Sequence, residues 1–164
     1  MLYLERVDGF SGNVAQFYSI RFKGAGRSEF ADFLNRFHSN KLITNEYNEI
    51  IYWLEQISKL GAESRHFRNE LSAVALPPNE PRRPERRHHL RLYAYRVSRN
   101  LVLLFNGDIK TPGIRKAQNC PVVGPYFKNA QKFVTAFRNK ITQDTSFLLP
   151  DLTDFSASNQ HLLL

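Results

Sequence analysis

The chain has 164 residues, 42% of them hydrophobic, which suits one domain with its own apolar core. A single cysteine, Cys120, excludes an internal disulfide, and no CxxC pair or HExxH segment suggests zinc, so neither metal nor cofactor is expected. The opening MLYLERVDGF lacks the basic-then-apolar order of a signal peptide, and no apolar run approaches the roughly 20 residues of a membrane span; a cytoplasmic protein without membrane contact is expected.

Net charge is +8, unevenly placed. Residues 1–79 carry nine basic and nine acidic side chains, whereas residues 82–99 carry seven arginines against Glu85 and residues 100–144 seven basic against two acidic side chains. A neutral half followed by a basic half is the footprint of a polyanion-binding face, since clustered cations release counterions from a phosphate backbone. The plainer alternative is a solvated basic surface with no partner.

Taken in chain order, NVAQFYSIRF at residues 13–22 alternates as a strand buried on at least one face. Ser28 is a plausible N-cap for a short helix bearing Phe30, Phe33, Leu34 and Phe37 and ending near Asn40. A second helix is predicted from Asn45 to Leu60, with Ile50, Trp53, Leu54 and Ile57 on one face and Gly61 as its stop. LSAVAL, residues 71–76, reads as a short strand closed by Pro77 and Pro78, and NEPRRPERR as a proline–arginine loop. LRLYAYRV (90–97) and LVLLF (101–105), three residues apart, have hairpin spacing, with NGDIKTPG turning the chain out of the sheet. A last helix is predicted over 125–141, and residues 145–164 as a flexible tail or extended docking segment. The sum is one α+β domain over residues 1–144: a small antiparallel sheet covered by an N-terminal helical pair, with an additional C-terminal helix.

Alternation sorts the first hairpin strand into Leu90, Leu92 and Ala94 on one face and Arg91, Tyr93, Tyr95 and Val97 on the other. Arginine flanked by aromatics suits RNA, the cation meeting phosphate and the rings stacking on bases; equally, the two tyrosines could pack beneath the last helix. Arg82, Arg83, Arg86, Arg87, His88 and His89 lead into this strand and could hold an RNA backbone. Arg96, Arg99, Arg115 and Lys116 extend the same basic set. Lys110, on the neighbouring strand, could join Arg91 at one scissile phosphate, where metal-free RNA cleavage requires charge stabilisation and two proton transfers.

With these elements in place the chain resembles toxins of the RelE/ParE superfamily, in its HigB-like branch. The resemblance rests on LRLYAYRVSRNLVLLFNGDIKT, residues 90–111, where Arg91, Gly107 and Lys110 fall on the branch's arginine, glycine and lysine positions, and on FRNELSAVALP, residues 67–77, which is similar to the preceding family strand. It implies the RelE-like fold and the toxin of a type II toxin–antitoxin system, a metal-independent endoribonuclease that cleaves mRNA on the ribosome. It also implies a cognate helix-turn-helix antitoxin as partner. Arg91 would then stabilise the phosphorane, Lys110 would neutralise charge or assist the leaving group, and Tyr93 would complete the catalytic set. Two alternatives stand beside it: a non-catalytic nucleic-acid-binding module, and a ParE-like toxin directed at gyrase.

Overall fold

The computed structural model describes residues 2–79 and 89–143, together with the backbone of 161–162. The chain is α+β. Among the described residues the sheet has seven strands: β1 (Leu2–Arg6), β2 (Gln16–Phe22), β3 (Arg68–Glu70), β4 (Ala73–Leu76), β5 (His89–Arg96), β6 (Leu101–Lys110) and β7 (His161–Leu162), in the spatial order β3-β4-β5-β6-β2-β1-β7. The α-helices described with it are α1 (Glu29–Phe37), α2 (Thr44–Leu60) and α3 (Gly124–Gln143).

The expected antiparallel sheet is in fact mixed, because β2 pairs parallel to β6 in the register Gln16↔Leu101 to Ser19↔Leu104. The long connection through both helices and three strands brings the chain back to β2 in its original direction. Three strands also went unanticipated. β1 pairs antiparallel with β2, β3 forms a tight hairpin with β4, and β7, within the segment expected as a tail, lies against β1.

The central hairpin follows the expected alternation. Leu90, Leu92 and Ala94 join Val102 and Leu104 in a core with Phe30, Phe33 and Phe37 of α1 and Ile50, Leu54 and Ile57 of α2. On the other face Tyr93, Leu101, Leu103 and Phe105 pack against Phe127, Ala130, Phe133, Val134 and Phe137 of α3. Helices therefore cover both faces, and the Arg/Tyr face is not open over its whole length. NGDIK does not leave the sheet as expected; it continues β6 to Lys110 after a bulge between the pairs Leu92↔Gly107 and Ala94↔Leu104.

Capping fixes the helices. The Ser28 hydroxyl accepts from the Ala31 amide, and the Phe30 amide donates to Ser19 Oγ of β2 at 3.0 Å, tying the start of α1 to the sheet. Helix α2 stops at Gly61, whose φ of 93° would strain any β-carbon.

Candidate nucleic-acid interface

The register of β5 and β6 sets His89 opposite Lys110 and Arg91 opposite Asp108. Arg91 and Lys110 are thus diagonal neighbours on one face, in an ordinary ladder about 7–8 Å apart. The structure brings together the two side chains that the sequence pairs at one phosphate. Arg91 is 4% exposed and its Nη1 donates to Leu90 O at 3.0 Å; half-buried Lys110 reaches outward, its Nζ donating to Arg115 O at 3.1 Å. Burial, then the positive field of Arg91, pulls the Lys110 ammonium below its usual range, with Glu70 pulling the other way.

Glu70, which the sequence did not single out, is the acid of this cluster. Burial holds its carboxyl above the usual range against the opposing fields of Arg68, Arg91 and Lys110. It lies at the turn between β3 and β4, next to Leu71 with φ 61°. Gln131 of α3 secures that turn: its side-chain oxygen accepts from the Ser72 and Ala73 amides at 2.9 and 3.1 Å, and its amide donates to Glu70 O. A depression of about 360 Å³ opens here, lined by Asn69, Glu70, Leu71, Arg115, Lys116, Ala117, Gln118 and Phe127. Arg115 and Lys116 stand exposed at its lip.

The other expected site residues fall elsewhere. Tyr93 is fully buried beneath α3, its ring edge-on to Phe127, so it cannot stack on a base. Burial, reinforced by the charge of Glu70, pushes its phenol well above the usual range, and its hydroxyl has no hydrogen-bond partner among the described residues. Tyr95 packs edge-on to Phe137, and its hydroxyl accepts from Arg138 Nε at 3.1 Å. Of the two roles open to these rings, the structure shows packing beneath α3, whose apolar stripe is buried on this face.

Arg96 and Arg99 lie at the opposite end of β5, where they finish helix α2: Arg96 Nε donates to Ala62 O at 2.7 Å and Arg99 Nη2 to Leu60 O at 2.9 Å. His89 begins β5, half-buried. Arg82, Arg83, Arg86, Arg87 and His88 lie outside the described residues.

Two further groups border the site. The Cys120 thiol is buried just before α3. Burial raises its pKa, but hydrogen bonds with the Thr111 hydroxyl and with the Val123, Thr111 and Val122 amides outweigh this and bring it to about 7. Arg36 of α1 makes a separate clasp, donating to Asp32 at 2.9 Å, Asp108 at 2.8 Å, Gly107 O at 2.7 Å and Asn106, with the Tyr126 ring 5.0 Å away. Every arm of that guanidinium is occupied within the fold, so the clasp is structural. Neither was visible in sequence: besides the i,i+4 pair with Asp32, the partners of Arg36 are 70 or more residues away, and the Thr111 partner of Cys120 is nine away.

Chemically, the cluster offers Arg91 and Lys110 with Arg68 close by, two more cations at the rim, and the Glu70 carboxyl, beside a small hollow of mixed polar and apolar lining. Among the described residues no group of three or more His, Cys, Asp or Glu is placed to hold a metal, and no helix is long and apolar enough to cross a membrane. No protein-family model, curated protein or solved structure matches the chain.

Proposed function

We propose that the chain is the toxin of a type II toxin–antitoxin system, a metal-independent endoribonuclease acting on mRNA held by the ribosome. The observation that carries this reading is the placement of Arg91 and Lys110 on adjacent strands, on one face, beside a depression rimmed by Arg115 and Lys116. The element order that underlies the resemblance is contained in the fold, with β1 and β3 added to it: β2, two helices, then β4, β5 and β6, with β2 paired to β6.

In such a reaction the RNA 2′-hydroxyl gives its proton to water as its oxygen attacks the adjacent phosphorus. The 5′-oxygen of the next nucleotide leaves, giving a 2′,3′-cyclic phosphate and a 5′-hydroxyl end. Arg91 supplies a fixed positive field from beneath the sheet surface, which costs no reorganisation as negative charge builds on the phosphorane. Lys110 is the more accessible partner, and its lowered pKa eases donation of a proton to the leaving oxygen. Because the cations are few and the hollow is shallow, the ribosome would align the message. The antitoxin, a cognate helix-turn-helix protein in this reading, would cover the basic face.

One observation favours a second reading, a non-catalytic RNA-binding module: Arg91 is 4% exposed and Tyr93 fully buried, which leaves Lys110 and the rim as the accessible cations. Expression in a bacterial host separates the two. Growth arrest that Lys110→Ala and Arg91→Ala each relieve, with both variants soluble and folded, is the expected result. Undiminished arrest in a soluble double variant would remove these residues from the site.

A further inference from the structure

The hollow beside the cation pair is more elaborate than phosphate contact requires. A bare anion would be repelled by Glu70 in its lining, so its occupant must bring hydrogen-bond donors as well as negative charge. We propose that it holds one guanine nucleotide of single-stranded RNA, with Glu70 reading the base and Arg115 and Lys116 holding the flanking phosphates. The inference deepens the endonuclease reading and rests on it for the identity of the polymer.

Size limits the ligand first. About 360 Å³ lies near the lower end of small-molecule sites, room for one nucleotide unit. Chemistry then selects the base. A carboxylate is acceptor-only, with two oxygens side by side. Guanine alone among the four bases presents two adjacent donors, N1–H and the N2 amino group, on its Watson–Crick edge. Adenine and cytosine place an acceptor next to their amino group, and uracil flanks its single imino donor with two carbonyls, so each leaves a carboxylate oxygen facing an acceptor. The amides of Asn69 and Gln118, both exposed in the lining, can donate to O6 and N7.

The wall that carries Glu70 is also held in place before any ligand arrives. Gln131 makes three hydrogen bonds to the β3–β4 turn, two to its amides and one to the carbonyl of Glu70 itself. A reader held by a second layer of hydrogen bonds discriminates better than a loose one, because its geometry is not recovered at the expense of binding.

Calorimetric titration of the full chain with each of the four nucleoside 3′,5′-bisphosphates tests this directly. Guanosine 3′,5′-bisphosphate is expected to bind about tenfold or more tighter than the other three, the scale of one good bidentate contact. Glu70→Gln and Glu70→Asp should each erase the preference while a weak affinity common to all four remains; the paired change Arg115→Ser with Lys116→Ser should weaken all four alike. Equal binding of the four bisphosphates, no binding of any, or a guanine preference that survives in both Glu70 variants would overturn the assignment. Failure of the endonuclease reading has a separate signature: a message left intact on ribosomes by a protein that still prefers guanine.

Discussion

At position 107 the chain has no room for a β-carbon. One built there would lie 1.8 Å from Arg91 O and 3.0 Å from Leu92 Cα, both backbone atoms of the paired strand and unable to swing aside. The bulge that follows Ala94↔Leu104 presses β6 onto β5 at this point, and the Gly107 carbonyl receives Arg36. Gly107→Ala is therefore expected to cost about 1–3 kcal/mol or more, the scale of an overpacked core, read as a lower urea midpoint. An unchanged midpoint would show that the strands separate freely. Glu70 makes the opposite kind of prediction. Its carboxyl titrates above the usual 4.5, so the folded state holds the proton more tightly than the unfolded one, and stability is lost as pH rises through the folded value. Glu70→Gln should accordingly raise the melting temperature at pH 7 relative to the parent, with the gain shrinking as pH falls toward 4 and the parent carboxyl protonates. A lower melting temperature at pH 7 would mean that the surrounding cations, rather than burial, dominate its energetics.

At the scale of elements, legibility followed how many faces a segment buries. The helices α1 and α2 were plain because a stripe of Phe30, Phe33 and Phe37 or of Ile50, Leu54 and Ile57 turns one face inward, with Ser28 and Gly61 marking the ends. LVLLF is apolar on both faces, and both are covered in the structure, by α1 and α2 on one side and by α3 on the other. The covering of the tyrosine face was hidden, since Tyr93 and Tyr95 suit a packed face and a base-stacking one equally well. β1 escaped because LYLER is short and half-buried, and β3 because its three residues, RNE, carry no apolar alternation at all. In the site, the pairing of Arg91 with Lys110 was readable from strand alternation, whereas Glu70 and Gln131 were not: each acts across the gap between β3 and α3, some 60 residues of sequence. Helix α3 thus does two things, sealing the sheet and bracing the turn. Gln131→Ala should leave α3 in place while the Ser72 and Ala73 amides lose hydrogen-exchange protection, at a cost of about 1–3 kcal/mol for groups left without partners. Unaltered exchange at those two amides would show that the turn holds itself.

Among the described residues the basic excess of the second half gathers only in part. Arg91, Lys110, Arg115 and Lys116 converge at one end of the central hairpin, with Arg68 of β3 close enough to bear on Lys110 and Glu70, while Arg96 and Arg99 are spent on the end of α2 at the other. Polarity therefore runs along β5: cations gather at one end, and at the other they finish the fold. A pI of 9.8 gives a positive field at neutral pH that favours polyanions in general, and such a field does not choose between binding and cutting. The measurement that does is a cell-free bacterial translation reaction with purified protein and a defined message, in which new RNA ends are mapped with and without ribosomes. Cuts within codons that appear only with ribosomes, bear 2′,3′-cyclic phosphates and vanish with Lys110→Ala are the predicted result; an intact message with normal translation would contradict it.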